Sequence, residues 1–193
     1  MKQFLVGEEK RKKFLFALAL LGIGIIGRML LSPYPNIETV LVVTMLAGCL
    51  LGGMYILIIP VLVMAATDFF IGTNSILLFT WSGFALIGII GYLLRNKRKA
   101  SMKFVGTLFG VGLGATLLYD IWTASGWWYL MHPHTLDSLG LVYLLQIPFT
   151  LKHLISTAIF VPLVSIPILY LYEYGWGKLY SLSPIARLSH QYR

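Results

Sequence analysis

The run FLFALALLGIGIIGRMLL, residues 14–31, carries a single charge, and apolar stretches of the same kind recur to residue 172. A segment of about 20 apolar residues crosses the hydrocarbon core of a bilayer as a helix, because only a helix or a closed barrel satisfies its backbone polar groups there. Charged residues make up 11% of the chain and mean hydropathy is +0.82, whereas a soluble domain carries about a quarter charged residues. The polar stretches are too short to bury a core of their own. The expected fold is therefore all-α: one transmembrane domain over residues 1–193, a polytopic helix bundle without a separate soluble domain.

Six spans are expected, at about 14–31, 37–51, 54–71, 75–94, 102–124 and 151–172. The second is short, about 22 Å at 1.5 Å per residue, and a re-entrant hairpin competes with it because LAGCLLGGMYILIIP is broken only by Gly52, Gly53 and Pro60. Charge decides between the two. Lys2, Lys10, Arg11, Lys12 and Lys13 precede the first span; Arg95, Lys97, Arg98, Lys99 and Lys103 separate the fourth from the fifth; Lys178, Arg187 and Arg193 follow the sixth. Six spans put all three blocks on one side, as the positive-inside tendency requires. Both termini are then cytoplasmic in a multi-pass protein of the cell membrane, and the first run is a retained span rather than a cleaved signal. The net charge of +8 is explained by these blocks, so nucleic acid is not an expected partner; membrane lipid is.

The two remaining basic residues, Arg28 and Lys152, lie at the opposite, outer level. Asn36, Glu38, Asp68, Asn74, Asp120, Gln146 and His153 share that level. A bare carboxylate in hydrocarbon costs several kcal/mol, so Asp68 and Asp120 each need a partner or a wet cavity. One reading is structural, with Arg28 paired to Asp68 or Lys152 to Asp120. The other is a polar cavity open to the outside that binds a zwitterionic or anionic solute.

Trp122, Trp127, Trp128 and Tyr129 gather in and beside TASGWWYLMHPHTLDSLG, residues 123–140, which is expected to be an outer loop. They form either an interfacial aromatic belt or a wall for stacking on a flat ring, with Trp81 as a further wall. His132 and His134 around Pro133 lack the neighbouring Cys or Glu of a metal site, and no metal or cofactor is expected. No H-E-x-x-H, P-loop or G-x-S-x-G pattern occurs, so the chain is not expected to be an enzyme. Cys49 reads as a small buried packing residue. Gly106, Gly110 and Gly114 form a ridge along the fifth span suited to close helix packing, inside the fold or against a partner. Residues 135–147 read as a helix across the outer face, ending before Pro148.

Together, GRMLLSPYPNIETVLVVTMLAGCLLGG, VLVMAATDFFIG and WTASGWWYLMHPHTLDSLGLVYLLQIPF resemble the S components of energy-coupling factor transporters. The likeness rests on a Pro-Asn turn after the first span, an Asp closing the third and a Trp-containing loop after the fifth, over nearly the whole chain. The resemblance implies a substrate-capture membrane subunit that takes up a vitamin-like solute and docks on a transmembrane coupling subunit with two ATPase subunits. Docking in that family often uses A-x-x-x-A on the first helix. Here Ala17 is followed by Leu21 and Ala19 by Ile23, so docking would fall to Ala17, Ala19, Gly22 and other glycines. The nickel and cobalt members begin Met-His and this chain begins Met-Lys, which argues against a metal substrate.

The leading expectation is capture of a small, ring-bearing organic micronutrient. Arg28 and Lys152 would hold its acidic group. Asn36, Glu38, Asp68, Asn74 and Asp120 would supply hydrogen bonds or counter-charge, and Trp81, Trp122, Trp127 and Trp128 would stack on its ring. The alternatives are a membrane scaffolding protein whose charges close into pairs without a cavity, and an intramembrane enzyme using Asp68 and Asp120.

Overall fold

A computed structural model describes residues 2–73 and 75–182, with side chains described from residue 7 to residue 175. Its regular structure is helical throughout. Helix α1 spans Lys2–Leu31, α2 Val40–Leu46 with a π-helical continuation Ala47–Leu51, α3 Tyr55–Ile71, α4 Leu77–Leu93, α5 Met102–Met131 and α6 Leu136–Leu182. Three stretches, Gly7–Leu31, Met102–Met131 and Leu136–Gly175, are long and apolar enough to cross a membrane by length and composition. Their outward faces carry residues such as Ile26, Leu118, Ile121, Ile159 and Leu163, a surface suited to lipid rather than water.

The element with the weakest sequence signal, α2, is the centre of the molecule. Every residue from Thr39 to Gly52 is buried, and α2 touches α1, α3, α4, α5 and α6. Those helices surround it in the order α1, α3, α4, α5, α6. The ring closes through Phe16 against Tyr172, centroids 4.9 Å apart. A helix of twelve residues rises only about 18 Å. Held inside protein on all sides, it need not match the bilayer thickness, since only lipid-exposed backbone must do so. Cys49 lies in this buried run.

Close packing of α2 on α4 depends on glycine. A Cβ on Gly48 would overlap the Gly88 carbonyl oxygen, and one on Gly91 would overlap the Met45 carbonyl oxygen. The ridge Gly106, Gly110 and Gly114 differs: a Cβ at each meets nothing within 4 Å. Of the two readings of this ridge, packing inside the fold is corrected, because α5 turns this face away from its neighbours. Gly110→Ala should therefore leave the melting temperature unchanged or raise it by a few degrees, since alanine is favoured over glycine in a helix by about 1 kcal/mol. A fall of several degrees in purified protein would show that the face is occupied.

The two ends of the bundle differ in charge. At one end Lys12 and Arg98 both lie over the Tyr172 ring, 4.2 and 4.7 Å from its centroid, and Arg98 donates to the Leu50 carbonyl oxygen at 3.2 Å. Arg28 lies sixteen residues beyond Lys12 on the same helix, about 24 Å along its axis, at the opposite end.

Two expected boundaries change. The segment 123–131 is not a loop but the last turns of α5. Thr123 and Ser125 turn their hydroxyls back onto the Tyr119 and Ile121 carbonyls at 3.0 and 2.7 Å, which keeps such residues inside a helix. The helix stops only at His132, extended (φ −124°, ψ 157°) before Pro133, as a residue preceding proline prefers. Residues 135–147 likewise form no separate surface helix, because α6 runs on through Pro148. Prolines are tolerated in long apolar helices where neighbouring groups take up the freed carbonyl. A break follows at Gly175, whose φ of 71° suits glycine.

Candidate functional site

A cavity of about 570 Å³ opens at the end remote from Lys12 and Arg98. The segment between α1 and α2 forms one wall. It turns at Asn36, whose φ of 64° lies in the left-handed region that asparagine enters more readily than most residues. This turn delivers Glu38, which is clasped to α6: its N–H donates to Ser156 Oγ at 2.9 Å, and that hydroxyl donates back to the Glu38 carbonyl oxygen at 3.1 Å. The far wall comes from the paired arms of α5 and α6, joined by a 2.7 Å hydroxyl contact between Ser125 and Tyr143.

Two polar centres stand at this level. In the first, Arg28 Nη1 is 2.6 Å from Asp68 Oδ1 and also donates to the Thr67 hydroxyl, while Trp81 Nε1 donates to Asp68 Oδ2 at 2.9 Å. Both Asp68 oxygens are thus engaged. This pair, with Asp68 buried and Arg28 half-buried, fastens α1 to α3 and α4. Arg28 reaches the cavity wall; Asp68 does not.

The second centre joins the α1–α2 segment, α5 and α6. His153 Nδ1 lies 2.8 Å from Asp120 Oδ1, and its Nε2 lies 3.3 Å from Glu38 Oε1. The imidazole sits between two carboxylates on opposite edges of its ring. Asp120 and His153 are 3% and 2% exposed. Glu38 Oε1, Asp120 Oδ2 and His153 Nε2 make no well-directed hydrogen bond within the described residues. Buried polar atoms are normally paired, and an exception asks for a partner.

The residues anticipated from sequence divide clearly. Arg28, Asn36, Glu38, Asp120 and Trp127 line the cavity. Asp68 and Trp81 are bound to the Arg28 centre beside it. Trp122 donates to Ser82 Oγ at 2.9 Å on the α4–α5 contact, and Trp128 donates to Ser138 Oγ at 2.9 Å between the α5 and α6 arms; neither lines the cavity. Lys152 is exposed and lies 6.0 Å from the Phe149 ring centroid, and the expected Lys152–Asp120 pair is replaced by His153–Asp120. Lys152 is one helical position from His153 and so projects about 100° away from it. Asn74 falls outside the described residues. Of the expected docking residues, Ala17 is in the core, Ala19 is exposed and Gly22 is half-buried; Ala17 cannot present itself to a partner.

Sequence reasoning passed over Tyr119, Phe84, Thr80 and Phe149, all cavity-lining, and placed Gln146 and His153 at the outer polar level without giving either a part in the site. Their signal was helical spacing: Asp120 and Thr123 lie three apart, as do Gln146 and Phe149, so each pair shares a face. His132 and His134 meet aromatic rings instead of each other. His132 lies against Trp127, centroids 6.3 Å apart, and His134 stacks on Tyr129 at 5.1 Å.

Residues 8–172 match DUF6580, a family of unknown function. No curated protein and no solved structure matches the chain.

Proposed function

We propose that this chain, which belongs to the DUF6580 family, is a multi-pass cell-membrane protein that captures a small ring-bearing organic solute for uptake. One observation carries the reading: a cavity of about 570 Å³ at a single end of the bundle, lined by Arg28, Asn36, Glu38, Asp120 and His153 together with the rings of Phe84, Tyr119, Trp127 and Phe149. Small-molecule sites are clefts of roughly 300–1,000 Å³, mostly apolar with a few placed polar groups. A scaffolding protein would close its charges into pairs without leaving such a space. Arg28 and Asp68 do close, but the cavity remains beside them.

The proposed topology has α1 to α6 all crossing, with the basic end in the cytoplasm. It is supported by the meeting of Lys12, Arg98 and Tyr172 at one end, which requires an even number of crossings between each. The cavity then opens outward, where a scarce nutrient is met. Passage to the cytoplasm would be driven by a transmembrane coupling subunit and two ATPase subunits, docked on surface other than Ala17.

The test is a melting-temperature screen of purified full chain against a panel of water-soluble vitamins and their precursors. A ligand at 100 times its Kd stabilises by about 2.7 kcal/mol, a rise of several degrees. Trp127→Ala should abolish that rise while leaving the unliganded melting temperature within about 2 °C, because a side chain 43% exposed in the free protein carries little of the core. No shift with any member of the panel at millimolar concentration contradicts the capture reading.

A further inference from the structure

The charges around the cavity select among solutes. Arg28 is the cavity-lining residue with a fixed positive charge among those described, and it is already joined to Asp68. Lys152, the other base at this level, is not in the lining. Against this, Glu38 and Asp120 bring two carboxylates with His153 alone between them. With His153 carrying its full positive charge, the trio holds one net negative charge; with a neutral imidazole it holds two. A buried charge is costly to retain unless something neutralises it.

Asp120 supplies the second observation. It is 97% buried by its 3% exposure, lies in the cavity wall, and its Oδ2 accepts no hydrogen bond from any described residue. Glu38 Oε1 and His153 Nε2 also lack a well-directed hydrogen bond but lie 3.3 Å from each other, so the acceptor without a facing partner is Asp120 Oδ2. An anion brought to this wall would meet two carboxylates; a cationic N–H group would meet the vacant Asp120 Oδ2 with the Glu38 carboxylate beside it, and charge-assisted hydrogen bonds of that kind are about twice as strong as neutral ones. The rings of Tyr119 and Trp127 in the same lining are compatible with a cation as well, since an aromatic face attracts one.

We propose that the solute taken by this cavity is a small organic cation, an N–H-bearing ammonium or amidinium group attached to an aromatic ring, with its charge set against Glu38 and Asp120. This rests on the capture reading and reverses the expectation that Arg28 and Lys152 hold an acidic group. Arg28 is instead a structural cation, free to take at most a secondary polar contact.

A series sharing one ring and differing in charge tests it: tryptamine, tryptophol and indole-3-propionate, titrated by calorimetry into the full chain in lipid nanodiscs, with empty nanodiscs as the reference for partitioning. The expected order is tryptamine at least tenfold tighter than tryptophol, and indole-3-propionate weakest. Glu38→Gln should remove the advantage of tryptamine over tryptophol; should that variant fail to fold, the order on the unaltered chain decides. Equal affinities, or indole-3-propionate the tightest, overturn the proposal. Absence of binding by tryptamine also overturns it, and the capture reading then stands or falls separately on the vitamin screen.

Discussion

Gly91→Ala lowers the melting temperature of the purified protein by on the order of 10 °C, or abolishes its recovery from membranes. The added methyl would overlap the Met45 carbonyl oxygen, with the Met45 carbonyl carbon 2.9 Å away. A flexible side chain would swing aside. A backbone carbonyl in the middle of the fully buried α2 cannot, so α4 must move off the central helix. Overpacking a tight core costs about 1–3 kcal/mol and more where backbone is displaced, and for a chain of this size each kcal/mol is worth about 2–4 °C. The effect spreads because α2 is the element every other helix touches. Gly110→Ala, the same chemical change in open space, is the control and should be silent. Equal effects from the two substitutions would mean that α4 does not pack on α2 as described.

The second large effect is at the Arg28 centre. Arg28→Met leaves Asp68 with Trp81 Nε1 as its remaining partner among the described residues, and stranding a buried charge by removing its ion-pair partner costs about 3–5 kcal/mol. The side chains of Arg28 and Asp68 are 20% and 9% exposed, so water relieves little of this. A fall of about 10 °C in melting temperature is expected. Arg28→Met combined with Asp68→Leu should recover part of the loss, since both charges are then gone. A single variant that melts with the unaltered protein would show that the pair is not closed.

Which of these features could be read from the chain follows from what each residue signals alone. Arg28 and Asp68 stand out because each is a charge at the end of an apolar run, and the cost of burying a charge predicts a partner. Their pairing was legible for that reason. The partner of Asp120 was not, because Lys152 and His153 are adjacent in sequence, and only the helical phase of α6 decides which one faces α5. The central place of α2 was hidden for a different reason. A helix surrounded by protein and a helix surrounded by lipid are both apolar on every side, so VLVVTMLAGCLL carries no mark of its position. The aromatic segment misled through composition: Ser, Gly and Trp between apolar runs look like a loop, yet the Thr123 and Ser125 hydroxyls are satisfied within the helix. Of the four tryptophans expected in the site, three are consumed by hydrogen bonds to Asp68, Ser82 and Ser138, and Trp127 alone reaches the cavity.

The central claim is a solute cavity open on the face of the membrane opposite the basic end. Ser32 is exposed and lines that cavity, and the native thiol, Cys49, is buried and should stay silent. Ser32→Cys should therefore react with a charged, membrane-impermeant maleimide added to intact cells, at a rate well above that of the unaltered chain. Labelling that appears only in inverted vesicles, with intact cells unreactive, would place the cavity on the cytoplasmic side and contradict the account.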